Sequence, residues 1–566
     1  MGSTRLFSEV FRRFKWRLNL LGLCLLVFLL GILWRAAYLG SYKRYYLMRQ
    51  SSLRTQRIIS TEPRSRGIIM DRFSDPLAVS VPSGAIWVDP KLYQIDYAKE
   101  AALTELLGIP IEQFRDKMLI QSNQRFKYLA RQLPMTQIDA VMRLKIPGIY
   151  YQESYKRYYP HGKITAQLLG TTDLDDHGKE GLELMYENWL NYNAGKALIL
   201  KDGLGQIISQ IAELKTPSGG YNLKLSIDGR LQLIAYQELE KRLKEVDAES
   251  GSVVIASVAT GEILAMVNAP SFDPNKPRTK YLKSMRNRAV TDLFEPGSTA
   301  KIFTAAAALA SGQFTPNSLI DTNPGVLKID GHKIYDALEV NNGVLTLTQV
   351  LQKSSDIGTA KIALQLPRQL LLDHLKLFGF GQATSLHFPG ERSGVLPRSL
   401  KNRDLVTATL SFGYAFNVTL LQLVQAYSLI ASGGWWRPLT ILKTSSETAT
   451  KHQERRLSGE LAKQLLDILE ACTANTNHPA KVPGYTVAGK TGTSHLNSAK
   501  GGYYADRYSA SFMGIAPASN PKIVIGVVVR DPHKKKHFGS QVAAPLFSRI
   551  ASKALHLLNV PFDKYE

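Results

Sequence analysis

Ser298 and Lys301 stand three residues apart at the start of an alanine-rich stretch, Phe303 to Ala310, which ends before Gly312. Alanine has a high helix propensity, so the sequence predicts a helix that begins at this motif. Three residues are close to one helical turn, which places the lysine amine within reach of the serine hydroxyl as a base for a nucleophile. Taken alone, such a pattern more often marks an N-cap serine with a surface lysine.

A second motif, Ser354-Ser355-Asp356, precedes a helical pattern that runs from Ile357 to Leu366. Serine and aspartate at such a position are typical of helix capping and of a carboxylate near the positive end of the helix dipole. In isolation this motif is interpreted as an ordinary helix start.

A third motif joins Lys490 to Thr491, Gly492 and Thr493 at the end of a predicted strand. A lysine and two hydroxyls along an edge strand, beside a glycine that leaves room for a ligand backbone, can donate to a carboxylate. The same pattern also fits a plain strand end with a glycine turn.

The three motifs together are far more specific than any one of them, because their order and their helix, helix and strand contexts agree with one known catalytic set. The chain resembles the class B penicillin-binding proteins. The resemblance includes the flanks of the first and third motifs and two boxes nearer the N-terminus, which are Phe294-Glu295-Pro296-Gly297, Val487-Ala488-Gly489, Arg64 to Arg72 and Gly181-Leu182-Glu183.

The resemblance implies a β-lactam-inhibited transpeptidase that acts on peptidoglycan stem peptides ending in D-Ala-D-Ala. Ser298 would attack the penultimate D-Ala carbonyl, and Lys301 would accept the serine proton. Ser354 would relay a proton to the departing D-Ala. The backbone N–H groups of Ser298 and Thr493 would form the oxyanion hole.

The same resemblance assigns the terminal carboxylate of the substrate to Lys490, Thr491 and Thr493, with Gly492 between them on the substrate-binding strand. No metal or cofactor is implied. The implied partners are stem peptides, β-lactam antibiotics, the membrane, a membrane glycosyltransferase and other division proteins. Nucleic acid is not among them.

Asp356 departs from the family's usual pattern, in which the second motif ends in Asn. An Asn side chain donates and accepts hydrogen bonds, whereas an ionised Asp only accepts. A carboxylate near Lys301 should favour the protonated amine and should fail to donate to a substrate carbonyl. We therefore include Asp356 in the catalytic site and expect altered β-lactam kinetics.

Several functions compete. Residues 77–82 and 86–90 are similar to those of septal enzymes, which favours cell division, whereas Asp356 leans towards the elongation enzymes of the side wall. A serine β-lactamase or lactam sensor shares the first and third motifs but does not account for residues 41–220. A non-catalytic, membrane-anchored division scaffold is a further interpretation, with Asp356 as its one motif-level hint.

Charge and cysteine content narrow the functional class only partly. The chain has 70 Lys and Arg against 47 Asp and Glu, a formal charge of +23, which attracts nucleic acid, anionic lipid or an anionic polymer alike. Its two cysteines, Cys24 in an apolar stretch and Cys472 far downstream, support neither a disulfide framework nor a cysteine zinc site.

Leu18 to Trp34 is apolar apart from Asn19, and the run extends through Tyr38 to a length that spans a bilayer. Arg35 stands where a signal peptide would carry its cleavage site, which favours an uncleaved anchor over residues 18–38. Basic residues on both sides leave its orientation open. The chemistry above implies a cytoplasmic tail, residues 1–17, and a single pass of the bacterial inner membrane with a periplasmic catalytic domain.

Beyond the anchor, the sequence predicts two units, residues 41–220 and 221–566. The first alternates short strand-like and helix-like pieces, among them a strand at 84–88 and helices at 97–107 and 181–191. By resemblance it is a pedestal of the dimerisation type. In the second unit, five strands predict one antiparallel sheet covered by helices, at 251–257, 262–267, 485–490, 509–515 and 523–529. The expected fold is α+β, a penicillin-binding transpeptidase domain on this pedestal with one N-terminal transmembrane helix.

Overall fold

The computed structural model describes residues 3–60, 65–94, 96–119, 126–192, 195–201, 207–216, 219–276, 284–401, 403–498, 501–533 and 536–564. The chain forms two compact units. The smaller comprises Met1–Arg64 and Tyr192–Ser218, and the larger comprises Ser65–Asn191 and Gly219–Glu566. The segment boundaries expected from the sequence stay a prediction.

The helices and strands alternate along most of the chain. The helices are α1 Ser3–Gly40, α2 Arg44–Thr55, α3 Tyr97–Leu107, α4 Ile111–Leu119, α5 Met135–Arg143, α6 Ala166–Leu169, α7 Gly181–Met185, α8 Glu187–Leu190, α9 Gly229–Val246, α10 Arg288–Thr291, α11 Lys301–Ala310, α12 Leu347–Lys353, α13 Asp356–Gln365, α14 Arg368–Leu377, α15 Asp404–Ser411, α16 Leu420–Ala431, α17 Ser446–Lys451, α18 Gly459–Ala471 and α19 Gly539–Leu557. The strands are β1 Gln56–Ser60, β2 Ile69–Met70, β3 Pro76–Val88, β4 Lys127–Leu133, β5 Ile149–Tyr158, β6 Lys196–Lys201, β7 Ile207–Lys215, β8 Leu223–Lys224, β9 Ala248–Ser257, β10 Ile263–Ala269, β11 Leu319–Asp321, β12 Val326–Ile329, β13 His332–Tyr335, β14 Val344–Thr346, β15 Trp435–Trp436, β16 Glu454–Arg455, β17 Ala488–Asn497, β18 Tyr503–Ala516 and β19 Ile523–Pro532.

The smaller unit contains α1, α2 and an antiparallel sheet of order β1-β6-β7. Within α1, residues Phe14–Gly40 form a helix long and apolar enough to cross a membrane. The anchor expected at residues 18–38 lies inside this helix.

In the larger unit, β3 pairs with β4 and β5 in antiparallel register. The strand expected at 84–88 is the end of this longer β3. Helix α3 has the bounds expected from the sequence, because Asp96 caps its first N–H groups and Gly108 ends it with a φ of 64°. Ile86 and Ile149 pack with Leu103 and Ile138 into one core beneath the sheet.

The single helix expected at 181–191 is wrong, because the structure has two short helices, α7 and α8, which meet at Tyr186. A continuous helix would use the Glu183 carbonyl to accept from the N–H of Glu187. In the structure the Glu183 carbonyl instead accepts a hydrogen bond from Arg66 Nη2 at 2.8 Å. A contact with a distant arginine therefore interrupts the helix.

Glu183 also lies at the centre of a buried ion-pair network. Its carboxylate accepts from Arg66 Nε and from Arg157 Nε, both at 2.7 Å, and the three side chains are at most 1% exposed. Glu187 adds a second carboxylate, 2.7 Å from Arg66 Nη2. Buried charges persist only when they are paired in this way, so these residues tie β5 and the α7–α8 segment to the chain around Arg66.

The predicted five-stranded antiparallel sheet is confirmed, with the order β10-β9-β19-β18-β17. Helices α9 and α19 pack on one face, while α16 packs on the other. Strand β17 extends to Asn497, beyond the end expected at Lys490, because its pairing with β18 continues past the third motif. Gly492 is needed within the strand, since any Cβ there would lie 2.7 Å from Pro296 O. This close approach places the third motif, on the edge strand β17, beside the first motif.

Candidate active site

Ser298 lies in a 3₁₀ turn, Gly297–Ala300, and the α-helix begins only at Lys301. The expected α-helical start is therefore a tighter turn. Gly297 has a φ of 55° and donates its N–H to Gly413 O at 3.0 Å, while a Cβ in its place would lie 2.7 Å from Thr493 O. Glycine is needed for this conformation and this approach. The half-buried nucleophile candidate is thereby held against β17.

Ser354 ends α12 in the left-handed conformation, with a φ of 57°. Its Oγ accepts from Lys301 Nζ at 3.1 Å and from Lys490 Nζ at 3.0 Å. One oxygen atom of the second motif thus joins the lysines of the first and third motifs. The three motifs, spread over almost two hundred residues of sequence, meet at Ser354.

Lys301 is fully buried. Besides Ser354 Oγ, its Nζ lies 2.5 Å from Ser354 O and 2.5 Å from Asp356 Oδ1. These three acceptors match the three N–H groups of an ammonium. Within the described part of the chain, no hydrogen bond joins Lys301 Nζ to Ser298 Oγ.

Lys490 is 4% exposed, and burial lowers its pKa to about 8. The Asp356 carboxylate and the thiolate form of Cys472 oppose this shift, whereas the Lys301 ammonium adds to it. Because Asp356 pairs with Lys301, the Lys490 ammonium is the group of this pair of lysines that is left to attract a carboxylate ligand. Among the described residues, no group of three or more His, Cys, Asp and Glu is placed to hold a metal ion.

Thr491, Gly492 and Thr493 lie on the strand edge next to the Ser298 turn. Thr493 Oγ1 accepts from Gly539 N at 3.0 Å, at the N-terminus of the 19-residue helix α19. This bond uses the oxygen of Thr493 as an acceptor and leaves its hydroxyl proton to donate elsewhere. Because β17 has a paired neighbour on one side only, its outer edge can accept an extended peptide.

Three supporting residues lie outside the three motifs and were not predicted as site residues. Asp336 Oδ1 accepts from Ser355 Oγ at 2.9 Å and from Ile357 N at 3.0 Å, which fixes the turn of the second motif. The buried Tyr427 hydroxyl donates to Thr299 O at 2.8 Å. Glu295 O accepts from Ser494 Oγ at 2.7 Å, and this contact links the first and third motifs. Glu295 alone stands in a box that resembles the family.

The comparisons with known proteins agree with this geometry. Residues 251–552 match the penicillin binding protein transpeptidase domain, and residues 61–225 match the penicillin-binding protein dimerisation domain. The chain is 39% identical to the peptidoglycan D,D-transpeptidase FtsI of Escherichia coli K12, over 97% of this chain and 93% of that protein. It is 38% identical to the probable peptidoglycan D,D-transpeptidase PbpC of Pseudomonas aeruginosa, over 95% and 94% of the two chains.

Among solved structures, penicillin binding protein 3 from Mycobacterium tuberculosis in complex with aztreonam superposes with a TM-score of 0.68 at 26% identity, covering 90% of this chain and 98% of that one. The match therefore extends over both domain types as well as over the motifs that meet at Ser354. This chain belongs to the class B penicillin-binding proteins.

Proposed function

We propose that this chain cross-links peptidoglycan as a serine D,D-transpeptidase. Ser298 Oγ bonds to the penultimate D-Ala carbonyl carbon, the peptide C–N bond breaks, and the terminal D-Ala leaves as a free amine. The amine of a neighbouring stem peptide then attacks the ester, and the Ser298 oxygen is released. In the first step the amine form of Lys301 takes the serine proton, while the Ser354 hydroxyl passes its proton to the departing D-Ala nitrogen and regains one from Lys301. In the second step the proton of the attacking amine returns to the Ser298 oxygen. The N–H groups of Ser298 and Thr493 hold the oxyanion.

The convergence of both lysines on Ser354 Oγ carries this proposal. A hydroxyl oxygen has two lone pairs, and here Lys301 and Lys490 occupy both as donors. The Ser354 proton therefore has to point to another acceptor, which suits delivery to the departing D-Ala amine. On the same wall, Lys490, Thr491 and Thr493 offer donors to the substrate carboxylate. Gly492, between them, lets the strand approach the Ser298 turn, because a Cβ there would lie 2.7 Å from Pro296 O.

Covalent labelling by a fluorescent penicillin tests the proposal. We expect labelling of the full chain, and its loss in Ser298→Ala. Ser446→Ala, a change of an exposed serine at the start of α17, is the matched control and should label normally. Equal labelling of both variants would refute Ser298 as the nucleophile. Absence of labelling in the intact protein would favour a non-catalytic scaffold, and continuous penicillin hydrolysis would favour a β-lactamase.

A septal role follows from the relatives named FtsI and from residues 77–82 and 86–90. Depletion of the chain from its host distinguishes this role from the side-wall alternative. We expect filaments that elongate without dividing. Cells that divide but lose their rod shape would instead assign the enzyme to elongation.

We further propose that residues 1–17 are cytoplasmic, that 18–38 form the anchor, and that the pedestal 41–220 and the transpeptidase domain 221–566 lie in the periplasm. The substrate is extracytoplasmic, and Phe14–Gly40 is the candidate span. A protease added to spheroplasts should digest the large domain, whereas inverted vesicles should protect it. A glycosyltransferase in the same membrane would supply the glycan strands, and cross-linking from α1 would identify it.

A further inference from the structure

Four aromatic side chains form a cluster on β3, β4 and β5, far along the sequence from the three motifs. The Trp87 ring stacks on Tyr150 at 4.7 Å between centroids and contacts Phe126 at 4.8 Å, and Phe126 meets Tyr128 edge-on at 4.8 Å. The strand register places Trp87 opposite both Tyr150 and Tyr128. We call Trp87, Phe126, Tyr128 and Tyr150 the aromatic platform.

The platform lies on the face of the sheet that the helices leave open. Ile86, Val88 and Ile149 project from the other face into the core with α3 and α5, and a Cβ on Gly84 would touch Ile138 of α5. Phe126 remains 44% exposed and Tyr150 38% exposed. A contiguous patch of exposed aromatic rings is a candidate recognition surface.

A cavity of about 480 Å³ opens beside the same sheet. Its lining includes three cations, Lys156, Arg157 and Lys276, against one carboxylate, Asp173. Three of these charges have partners, since Arg157 lies 2.7 Å from Glu183, Lys276 lies 3.5 Å from Asp273 and Asp173 lies 2.9 Å from Lys179. Lys156 is therefore the one charge of this lining without an ion-pair partner among the described residues, and it favours an anionic group.

The cavity wall also holds buried polar groups that lack a hydrogen-bond partner among the described residues. These are Arg157 Nη2, the Tyr159 hydroxyl and Thr171 Oγ1, on side chains at most 4% exposed. A buried polar group without a partner is costly, and a ligand oxygen that reached it would recover that free energy. Such groups are the second observation, besides charge, that points to a polar ligand.

Platform and cavity are connected. The Arg131 guanidinium lies 4.7 Å from the Tyr128 ring centroid and donates to Leu174 O at 3.2 Å, and Leu174 lines the cavity. Along β5, Tyr150 and Lys156 stand an even number of residues apart, so they share a face of the strand. They are separated by roughly 20 Å of strand. The open face thus runs from the aromatic rings to Lys156.

We propose that this face binds a glycan strand of peptidoglycan together with its stem peptide. Sugar rings would lie on the aromatic platform, and a peptide carboxylate would enter the cavity near Lys156. A glycopeptide has uncharged sugar rings and, further along, a peptide carboxylate, which matches aromatic rings and a cation separated by roughly 20 Å of strand. A small anion alone would not need the aromatic platform. The proposal rests on peptidoglycan as the substrate of the enzyme, but it does not depend on the chemistry at Ser298.

Binding of three soluble probes to the full chain in detergent tests the proposal, after benzylpenicillin has acylated the active site. The probes are glycan oligomers with stem peptides, the same oligomers stripped of peptide, and the free stem peptide. We expect Trp87→Ala to weaken the first two about five- to tenfold and Trp87→Phe to restore most of the affinity. Lys156→Gln should weaken the first and third probes and spare the second.

Tyr97→Ala is the matched control, because Tyr97 is 71% exposed on α3, which packs on the other face of the sheet. It should bind all probes normally. Unchanged glycan affinity in Trp87→Ala would overturn the proposal, as would loss in Tyr97→Ala to the same extent. Loss of a co-purifying protein from Trp87→Ala, with glycan affinity intact, would assign the face to a protein partner instead. Penicillin should still label these variants normally. Normal labelling together with unchanged glycan affinity in Trp87→Ala would overturn the glycan-binding proposal and leave the catalytic proposal intact.

Discussion

Asp356 Oδ1 lies 2.5 Å from Lys301 Nζ, and Lys301 is fully buried while the Asp356 side chain is 30% exposed. The residue that departs from the family's usual pattern is therefore in direct contact with the proposed base. An ionised carboxylate at this distance stabilises the ammonium form of a buried lysine. The proposed base has to give up a proton against this contact before it can accept one from Ser298.

We predict that Asp356→Asn acylates faster with a labelled penicillin. A neutral amide holds Lys301 Nζ less strongly than the carboxylate does, so the lysine is freer to turn towards Ser298 Oγ. A gain of roughly tenfold corresponds to about 1.4 kcal/mol of activation free energy. The second-order acylation rate measures it, with Asp404→Asn, which alters an exposed pair with Arg368, as the control. An unchanged rate at every pH tested would contradict the role assigned to Asp356.

Recognition of the substrate carboxylate should weaken as the pH rises through about 8. The pKa of Lys490 is lowered to about 8, chiefly by burial, so the ammonium prevails below this pH and the neutral amine above it. The ammonium is the form that attracts a carboxylate. The apparent dissociation constant of a penicillin before acylation, measured across this range, should therefore rise at alkaline pH. Lys490→Arg stays protonated throughout and should flatten the profile, and a parallel rise in that variant would refute the assignment.

Asp176→Asn should stabilise the protein at neutral pH. Burial raises the pKa of Asp176 to about 6, although the guanidinium groups of Arg157 and Arg66 oppose the shift. A raised carboxyl pKa means that the fold disfavours the ionised form, so stability falls as the pH rises from about 4 to about 6. The variant removes this cost, about 1 to 3 kcal/mol above pH 6, and none below pH 4.

Asn also tolerates the left-handed backbone of Asp176, whose φ is 63°. Thermal unfolding at acid and neutral pH measures the effect, with the exposed Asp139→Asn as the control. A gain of stability that is the same at both pH values would show that the carboxyl charge is not its cause.

The parts of the site that local sequence determines could be predicted, and those that depend on packing could not. Lys301, Ser354 and Lys490 belong to short motifs, and the structure brings them together. The helical pattern of residues 97–107 likewise predicted the bounds of α3. The hydrogen bond from Arg66 that interrupts α7 and α8, however, joins residues 117 apart in sequence. Asp336 reaches the second motif only through the fold around β13, and no local pattern marks such a residue.

Tyr427 is another residue whose role depends on packing and not on a sequence motif. We predict that Tyr427→Phe acylates more slowly, because it deletes the hydroxyl that donates to Thr299 O and supports the turn of Ser298. It should also lower the free energy of unfolding by about 1 to 2 kcal/mol, the cost of a lost buried hydrogen bond. Tyr427 does not touch the reacting atoms in this arrangement, so penicillin affinity before acylation should stay unchanged while the acylation rate constant falls.

Tyr236→Phe provides the matched control for this prediction. Tyr236 is 3% exposed on α9, and it packs in the core on the opposite face of the sheet from Tyr427. Its hydroxyl contacts Glu240 at 3.4 Å, so the variant also loses a tyrosine hydroxyl from a buried ring. We expect a normal acylation rate from it. If both variants slowed equally, or if Tyr427→Phe acylated at the wild-type rate, Tyr427 would be a structural residue of the core rather than a positioning residue for Ser298.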